Sequence, residues 1–178
     1  MSEATESSAR ISASSGVRSV VLAKAQALGL KLPDDLQRLA VARGCKYYVV
    51  EDGPLPPANL RFTNEELAVA LLSPALPSEP QDIRIAAAVL SSPDVDVPTL
   101  AALAEAEGCA GLVRYIAECG QKYEPTVLFW RELLARLNGA KIPSGPLPHP
   151  TRFIEMTGMI RGQTGFFTHW IRPVPPKA

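Results

Sequence analysis

Apolar residues between positions 62 and 138 recur at the three- and four-residue spacing of amphipathic helices. The pattern predicts five consecutive helices of roughly 10–14 residues each. Thr63 can cap the first helix, and Glu66, three residues later, completes a capping box. Asp96 is the predicted N-cap of the third helix. A proline or a glycine marks the predicted end of each segment: Pro74, Pro93, Gly108, Gly120 and Gly139.

The predicted helices need neighbours, because helices this short are marginal alone. Antiparallel pairing through short loops is the simplest way to bury their apolar faces. In the fifth helix we expect five side chains to face the core: Leu128, Phe129, Leu133, Leu134 and Leu137.

The flanking regions have a different pattern. Residues 1–15 are acidic and serine-rich and are predicted to be a disordered arm. Residues 16–52 form a helix-helix-strand element, whose strand is the stretch CKYYVVED at 45–52, aromatic and β-branched between two glycines. Residues 53–60 are a proline-rich linker, and residues 61–139 are the helical core.

The C-terminal part, residues 140–178, begins with a second proline-rich connector at 140–150 and continues as an irregular arm. Residues 151–161 can be either a short helix capped by Thr151 or a strand that leads through RGQTG into FFTHWIRP. The fold class is therefore mainly α. It is a short helical-repeat-like stack or a helical bundle, with a small N-terminal α/β element and an irregular C-terminal arm.

Two segments of the core are similar to each other. IRIAAAVLSSPDVDVPTLAALAE at 83–105 and VRYIAECGQKYEPTVLFWRELLARL at 113–137 each place an arginine near the start of one helix and Pro-Thr before or at the start of the next. Both resemble HEAT-like helical repeats, especially the leucine-rich-variant form. The resemblance implies a right-handed stack of helix pairs with a protein-binding role, and it implies that Arg84 and Arg114 are structural and pair with neighbouring acids. A plain helical bundle remains the alternative.

Charge and cysteine content narrow the class of protein. The chain has 178 residues, a net charge of zero and a mean hydropathy of +0.07, which are ordinary globular values. Residues 61–138 carry 6 basic and 11 acidic side chains, whereas residues 139–178 carry 5 and 1. The basic end can therefore lie back on the acidic middle or act as an arm for an acidic partner.

Three widely spaced cysteines without a CxxC pair indicate buried free thiols and a cytoplasmic protein, and neither a secretion signal nor a membrane-spanning run is evident.

No catalytic, cofactor-binding or metal-binding motif is present, so we predict no catalytic residue, no cofactor and no metal. A pairing of Cys119 with His149 or His169 is geometrically possible, although both histidines are distant in sequence. GFFTHWIRP at 165–173 is the most unusual stretch. Buried, it is a strand or an extended arm packed against the helices, and exposed, it is an apolar patch for a partner.

We expect a non-catalytic protein-interaction or scaffold module with a protein partner. The candidate partner-binding residues are Trp130, Phe166, Phe167, Trp170 and Arg172. The alternative is nucleic-acid association through the basic C-terminal arm, with Arg152, Arg161, Arg172 and Lys177 on one face. An enzyme of unrecognised type is the second alternative.

Overall fold

The computed structural model describes residues 18–45, 53–77, 79–159, 166–175 and 177. Within these ranges the protein is mainly helical, as the sequence predicts. The helices are α1 Val20–Ala27, α2 Asp34–Ala42, α3 Asn64–Leu71, α4 Pro80–Leu90, α5 Val97–Ala106, α6 Ala110–Tyr123 and α7 Leu128–Arg136. A 3₁₀ turn, Pro150–Phe153, leads into a two-stranded hairpin of β1 Ile154–Met159 and β2 Phe166–Trp170. The predicted arm at 1–15 and the predicted strand, apart from Cys45, lie outside the described residues.

The predicted helix starts at α3 and α5 are confirmed. Thr63 Oγ1 accepts from the Glu66 amide at 3.2 Å, and the Thr63 amide donates to Glu66 Oε2 at 2.8 Å, which completes the capping box. Asp96 accepts from the Thr99 amide at 3.0 Å and caps α5. Both helices therefore begin where their polar side chains satisfy the first free backbone amides.

The prediction that Gly120 ends the sixth helix is wrong. α6 continues through it to Tyr123, and Gly120 is buried against the indole of Trp130. Its missing side chain serves helix packing rather than helix termination.

The predicted inward face of the last helix is also partly wrong. α7 begins only at Leu128, and Leu128 is 55% exposed, whereas Trp130, Leu133 and Leu137 are buried. Phe129 and Leu134 are partly buried against the core. The fully buried face of α7 therefore begins at Trp130, two positions after Leu128.

The helices pair differently from the two predicted helix pairs. α6 packs closely on α7, which agrees with the second pair. The main partner of α4, however, is α3, while α4 and α5 contact each other little. α5 instead contacts α3, α6 and α7, so it joins the pair α3–α4 to the pair α6–α7.

The N-terminal helices belong to the same core. The backbone amides of Val20 and Val21 donate to Glu107 Oε1 at 3.0 and 3.1 Å, so a side chain from the end of α5 caps α1. Lys24 Nζ lies 2.6 Å from Glu66 Oε1. The buried residues of α1 and α2 are continuous with those of the helical core.

Of the stretch 151–161, the structure describes residues 151–159, and these form the end of a 3₁₀ turn followed by a strand. β1 pairs antiparallel with β2, with Ile154 opposite Trp170 and Glu155 opposite His169. The register shifts between Thr157 and Met159, so the hairpin contains a bulge. The C-terminal part therefore contains a short hairpin, while residues 140–149 and 171–175 have neither helix nor strand. None of the described helices combines the length and the apolar character needed to cross a membrane.

Candidate functional site

The C-terminal hairpin is fixed to the helices by Trp170, which is 1% exposed. Its ring centroid lies 4.7 Å from that of Trp130 and 5.3 Å from that of Phe153. Its Nε1 donates to the Ala87 carbonyl in α4 at 3.1 Å. The indole is therefore part of the core, with its polar atom satisfied as burial requires.

Glu124, just after α6, holds the next residues of the chain. Its Oε1 accepts from Arg172 Nη1 at 2.8 Å, and its Oε2 accepts from Arg172 Nη2 at 2.6 Å and from Trp130 Nε1 at 2.8 Å. Arg172 Nε also donates to the Ser91 carbonyl at 3.3 Å. Burial raises the pKa of Glu124, but these hydrogen bonds outweigh it, so the pKa lies below its ordinary 4.5. This pair is one contact through which the basic end lies back on the acidic middle.

Beyond Arg172 the chain reaches the end of α2. The Val174 amide donates to the Gly44 carbonyl at 3.0 Å. Gly44 has φ +97°, and a Cβ there would lie 1.8 Å from the Val174 carbonyl oxygen, so only glycine fits this approach. The residues on either side, Pro173 and Pro175, thereby reach a concave surface formed by the helical core.

That surface is a groove of about 730 Å³, which we name the Arg43 groove. It lies between the C-terminal segment, the end of α2, the start of α3 and the loop before α5. Its lining residues are Arg43, Ala58, Phe62, Thr63, Asn64, Glu65, Ser92, Pro93, Asp94, Pro173 and Pro175.

The polar groups of the groove bind one another. The Arg43 guanidinium donates to carbonyls of the 58–62 loop, Phe62 among them, and its Nη1 donates to Asn64 Oδ1 at 2.8 Å. Asn64 Nδ2 in turn donates to both carboxylate oxygens of Asp94, each at 3.0 Å. Burial lowers the pKa of Arg43, while Asp94 and Glu66 oppose that shift. Arg43 thus organises the groove and leaves the exposed Asp94 carboxylate as its charged feature.

The thiols of Cys109 and Cys119 are not activated for nucleophilic chemistry. All three cysteines are buried, and none of them forms a disulfide. Burial raises the pKa of Cys109 to about 12, and burial likewise raises that of Cys119, although a hydrogen bond with Tyr115 opposes it. Nucleophilic catalysis needs a thiolate, which these environments disfavour. Nor do the described residues contain a group of three or more His, Cys, Asp or Glu side chains that could hold a metal ion.

The structure does not bring the predicted partner-binding residues to the surface as a group. Trp130 is 0% exposed and Trp170 is 1% exposed, so neither indole has surface to offer a partner. Arg172 is engaged by Glu124 and Ser91. Phe166 and Phe167 lie in β2, but their side chains are outside the described part of the chain. The two indoles, Trp130 and Trp170, belong to the core instead.

The residues predicted for nucleic-acid binding differ from one another in their contacts. Arg172 is held by an internal ion pair, Arg152 lines a separate cavity, and Arg161 lies outside the described residues. Lys177 is exposed. Within the described residues, Arg172 is thus the one of the four whose side chain is seen in an ion pair, and nucleic-acid association stays a prediction.

Arg114 pairs with an acid of its own helix, α6, rather than with an acid of a neighbouring repeat. Its Nε lies 3.0 Å from Glu118 Oε1, and its Nη1 donates to the carbonyls of Asn138 and Ala140 at 2.8 and 2.7 Å. Arg84 is partly buried and lines the same separate cavity as Arg152. The two histidines lie at the surface, where His169 Nε2 approaches Glu155 Oε2 at 3.3 Å.

No known protein family, curated protein or solved structure matches the chain. The resemblance to HEAT-like repeats therefore stays a prediction. The groove residues Arg43, Asn64 and Asp94 were not found from the sequence, because they are spread over three segments and no spacing rule connects them.

Proposed function

We propose that the protein is a non-catalytic interaction module of a reducing compartment such as the cytoplasm, and that the Arg43 groove receives an extended, proline-containing peptide with a basic side chain. The HEAT-like interpretation of the core fits this role, because such stacks present concave surfaces to peptides. The three buried cysteines form no disulfide, which supports the choice of compartment.

The observation that carries the proposal is the position of the C-terminal segment. Pro173 and Pro175 already line the groove, with Val174 between them hydrogen bonded to Gly44. An extended backbone with alternating prolines therefore fits against this surface. Such segments bind with little loss of conformational entropy, because proline restricts them before binding.

Charge defines the second feature of the expected partner. Asp94 is exposed, and both its oxygens are oriented by Asn64. Prolines and Phe62 supply the apolar surroundings. A lysine or arginine near the prolines of a partner would complement the carboxylate, with a contribution that falls as salt screens it.

The test is affinity capture from native cytosol with three forms of the full chain: wild type, Asp94→Asn and Glu132→Gln. Asp94→Asn removes the groove charge, whereas Glu132→Gln removes an exposed charge of α7 as a matched control. We expect one stoichiometric protein that survives nuclease and that Asp94→Asn captures at least several-fold less than the other two forms. Recovery of nucleic acid alone, or equal recovery by all three forms, would overturn the proposal.

A further inference from the structure

A second cavity lies on a different part of the molecule, between the first turn of α4 and the turn before β1. It has a volume of about 360 Å³. We name it the cationic cavity, and its lining residues are Glu79, Pro80, Gln81, Arg84, Pro148, His149 and Arg152. Two arginines and a histidine therefore share a small concave space in a chain whose middle third is acidic.

The two walls of the cavity are held in place relative to each other. Tyr115 in α6 donates its hydroxyl to the Pro148 carbonyl at 2.5 Å. Trp170 Nε1 donates to the Ala87 carbonyl and so ties the hairpin to α4. The 3₁₀ turn that carries Arg152 also packs on α4. The cavity is thus a feature of the folded core rather than of a loose loop.

Arg152 is available to a ligand. Its side chain is exposed, and within the described part of the chain it makes neither a hydrogen bond nor an ion pair. Arg84 is partly buried at the opposite wall and supplies a second guanidinium. Of the lining residues, Glu79 alone carries a negative charge, so the cavity keeps a positive balance.

His149 adds a ring N–H donor. Its Nδ1 faces Thr151, accepting from the amide at 3.4 Å and lying 2.8 Å from Oγ1. With Nδ1 in this acceptor role, the neutral ring carries its proton on Nε2, which is then a hydrogen-bond donor. The cavity thereby combines two planar cationic forks with a ring N–H.

We propose that the cationic cavity binds the phosphoryl group of a small phosphorylated compound. Guanidinium groups match the oxygens of phosphate in pairs, and a phosphoryl group offers three oxygens to the donors of three side chains. A volume of about 360 Å³ accommodates a phosphoryl group together with a small substituent. This binding is independent of the Arg43 groove, with which the cavity shares no lining residue.

The test is a titration of the full ¹⁵N-labelled chain with inorganic phosphate, followed by NMR at constant ionic strength, with chloride as the exchanged anion. We expect saturable shifts concentrated at residues 79–84 and 148–152. Shifts that chloride reproduces, or shifts that do not saturate, would overturn the proposal.

The same phosphate titration of single-site variants tests which side chains bind the phosphate. Arg152→Gln should weaken phosphate binding about tenfold, because it removes one charge-assisted contact. Glu79→Gln should strengthen binding a few-fold, because it removes the opposing charge. Arg131→Gln removes an exposed positive charge from α7 and should leave the affinity unchanged. Equal affinities for Arg152→Gln and Arg131→Gln would show that the cavity is not the binding site.

Discussion

Replacing Gly120 by alanine tests how tightly α6 and α7 are packed. A Cβ at this position would lie 2.3, 2.4 and 2.6 Å from three ring atoms of Trp130. Trp130 is 0% exposed and lies 4.9 Å from Phe129 and 4.7 Å from Trp170, measured between ring centroids. The indole therefore has no free space into which it can move.

Two opposing effects determine how much Gly120→Ala changes the free energy of unfolding. Alanine is favoured over glycine inside a helix by about 1 kcal/mol. Overpacking a buried site costs about 1–3 kcal/mol, and three contacts with a rigid ring place Gly120→Ala near the upper limit. The substitution should therefore lower the free energy of unfolding by about 2 kcal/mol, which corresponds to a Tm lower by roughly 4–8 °C for a chain of this length.

Urea unfolding followed by tryptophan fluorescence measures this change, since both tryptophans lie at the affected contact. Gly139→Ala is the matched control, because a Cβ at Gly139 meets nothing within 4 Å. The control should stay within about 0.5 kcal/mol of the wild type. If Gly120→Ala were as stable as the wild type, or more stable by the helix-propensity gain, the inferred packing of α6 against Trp130 would be wrong.

Three further predictions concern the C-terminal segment and the thiols. Glu124 has a lowered pKa, so its contribution to stability is present above pH 4.5 and is lost as the pH falls through its folded-state pKa. Urea midpoints measured from about pH 6 to about pH 3 should therefore fall less steeply for Glu124→Gln than for the wild type. Gly44→Ala should displace Val174, and amide hydrogen exchange should show faster exchange at Val174 than in the wild type. Cys109, buried and with a pKa raised to about 12, should react with a thiol reagent at pH 8 only after unfolding, so its labelling rate should rise with urea.

The sequence predicts the helices well, because their starts and apolar faces are local properties. The Thr63–Glu66 capping box and the Asp96 cap form as expected. Gly120 shows where local reasoning fails. A glycine after an apolar run resembles a helix end, yet the reason for this glycine is a ring ten residues away in the sequence. The two roles of glycine cannot be separated without knowing the partner.

The packing of the helices was less predictable than their existence. Similar segments at 83–105 and 113–137 suggest two equivalent helix pairs, but the structure pairs α3 with α4 and leaves α5 as the link to α6 and α7. Pairing depends on which apolar faces meet, and short amphipathic helices leave several combinations open.

The C-terminal segment shows why the candidate site could not be derived from composition. Aromatic and arginine side chains are typical both of binding surfaces and of closely packed cores. Here Trp170 packs against Trp130, and Arg172 binds Glu124, 48 positions earlier in the sequence. These contacts bring Pro173 and Pro175 to α2 and thereby complete the wall of the Arg43 groove. Trp170 and Arg172, whose residue types suggest binding, thus hold the C-terminal segment against the helices. The Arg43 groove, which is left for a partner, is formed by residues with no such signal in the sequence. Loosening the Glu124–Arg172 pair should therefore alter the groove as well as stability, even though neither residue lines it.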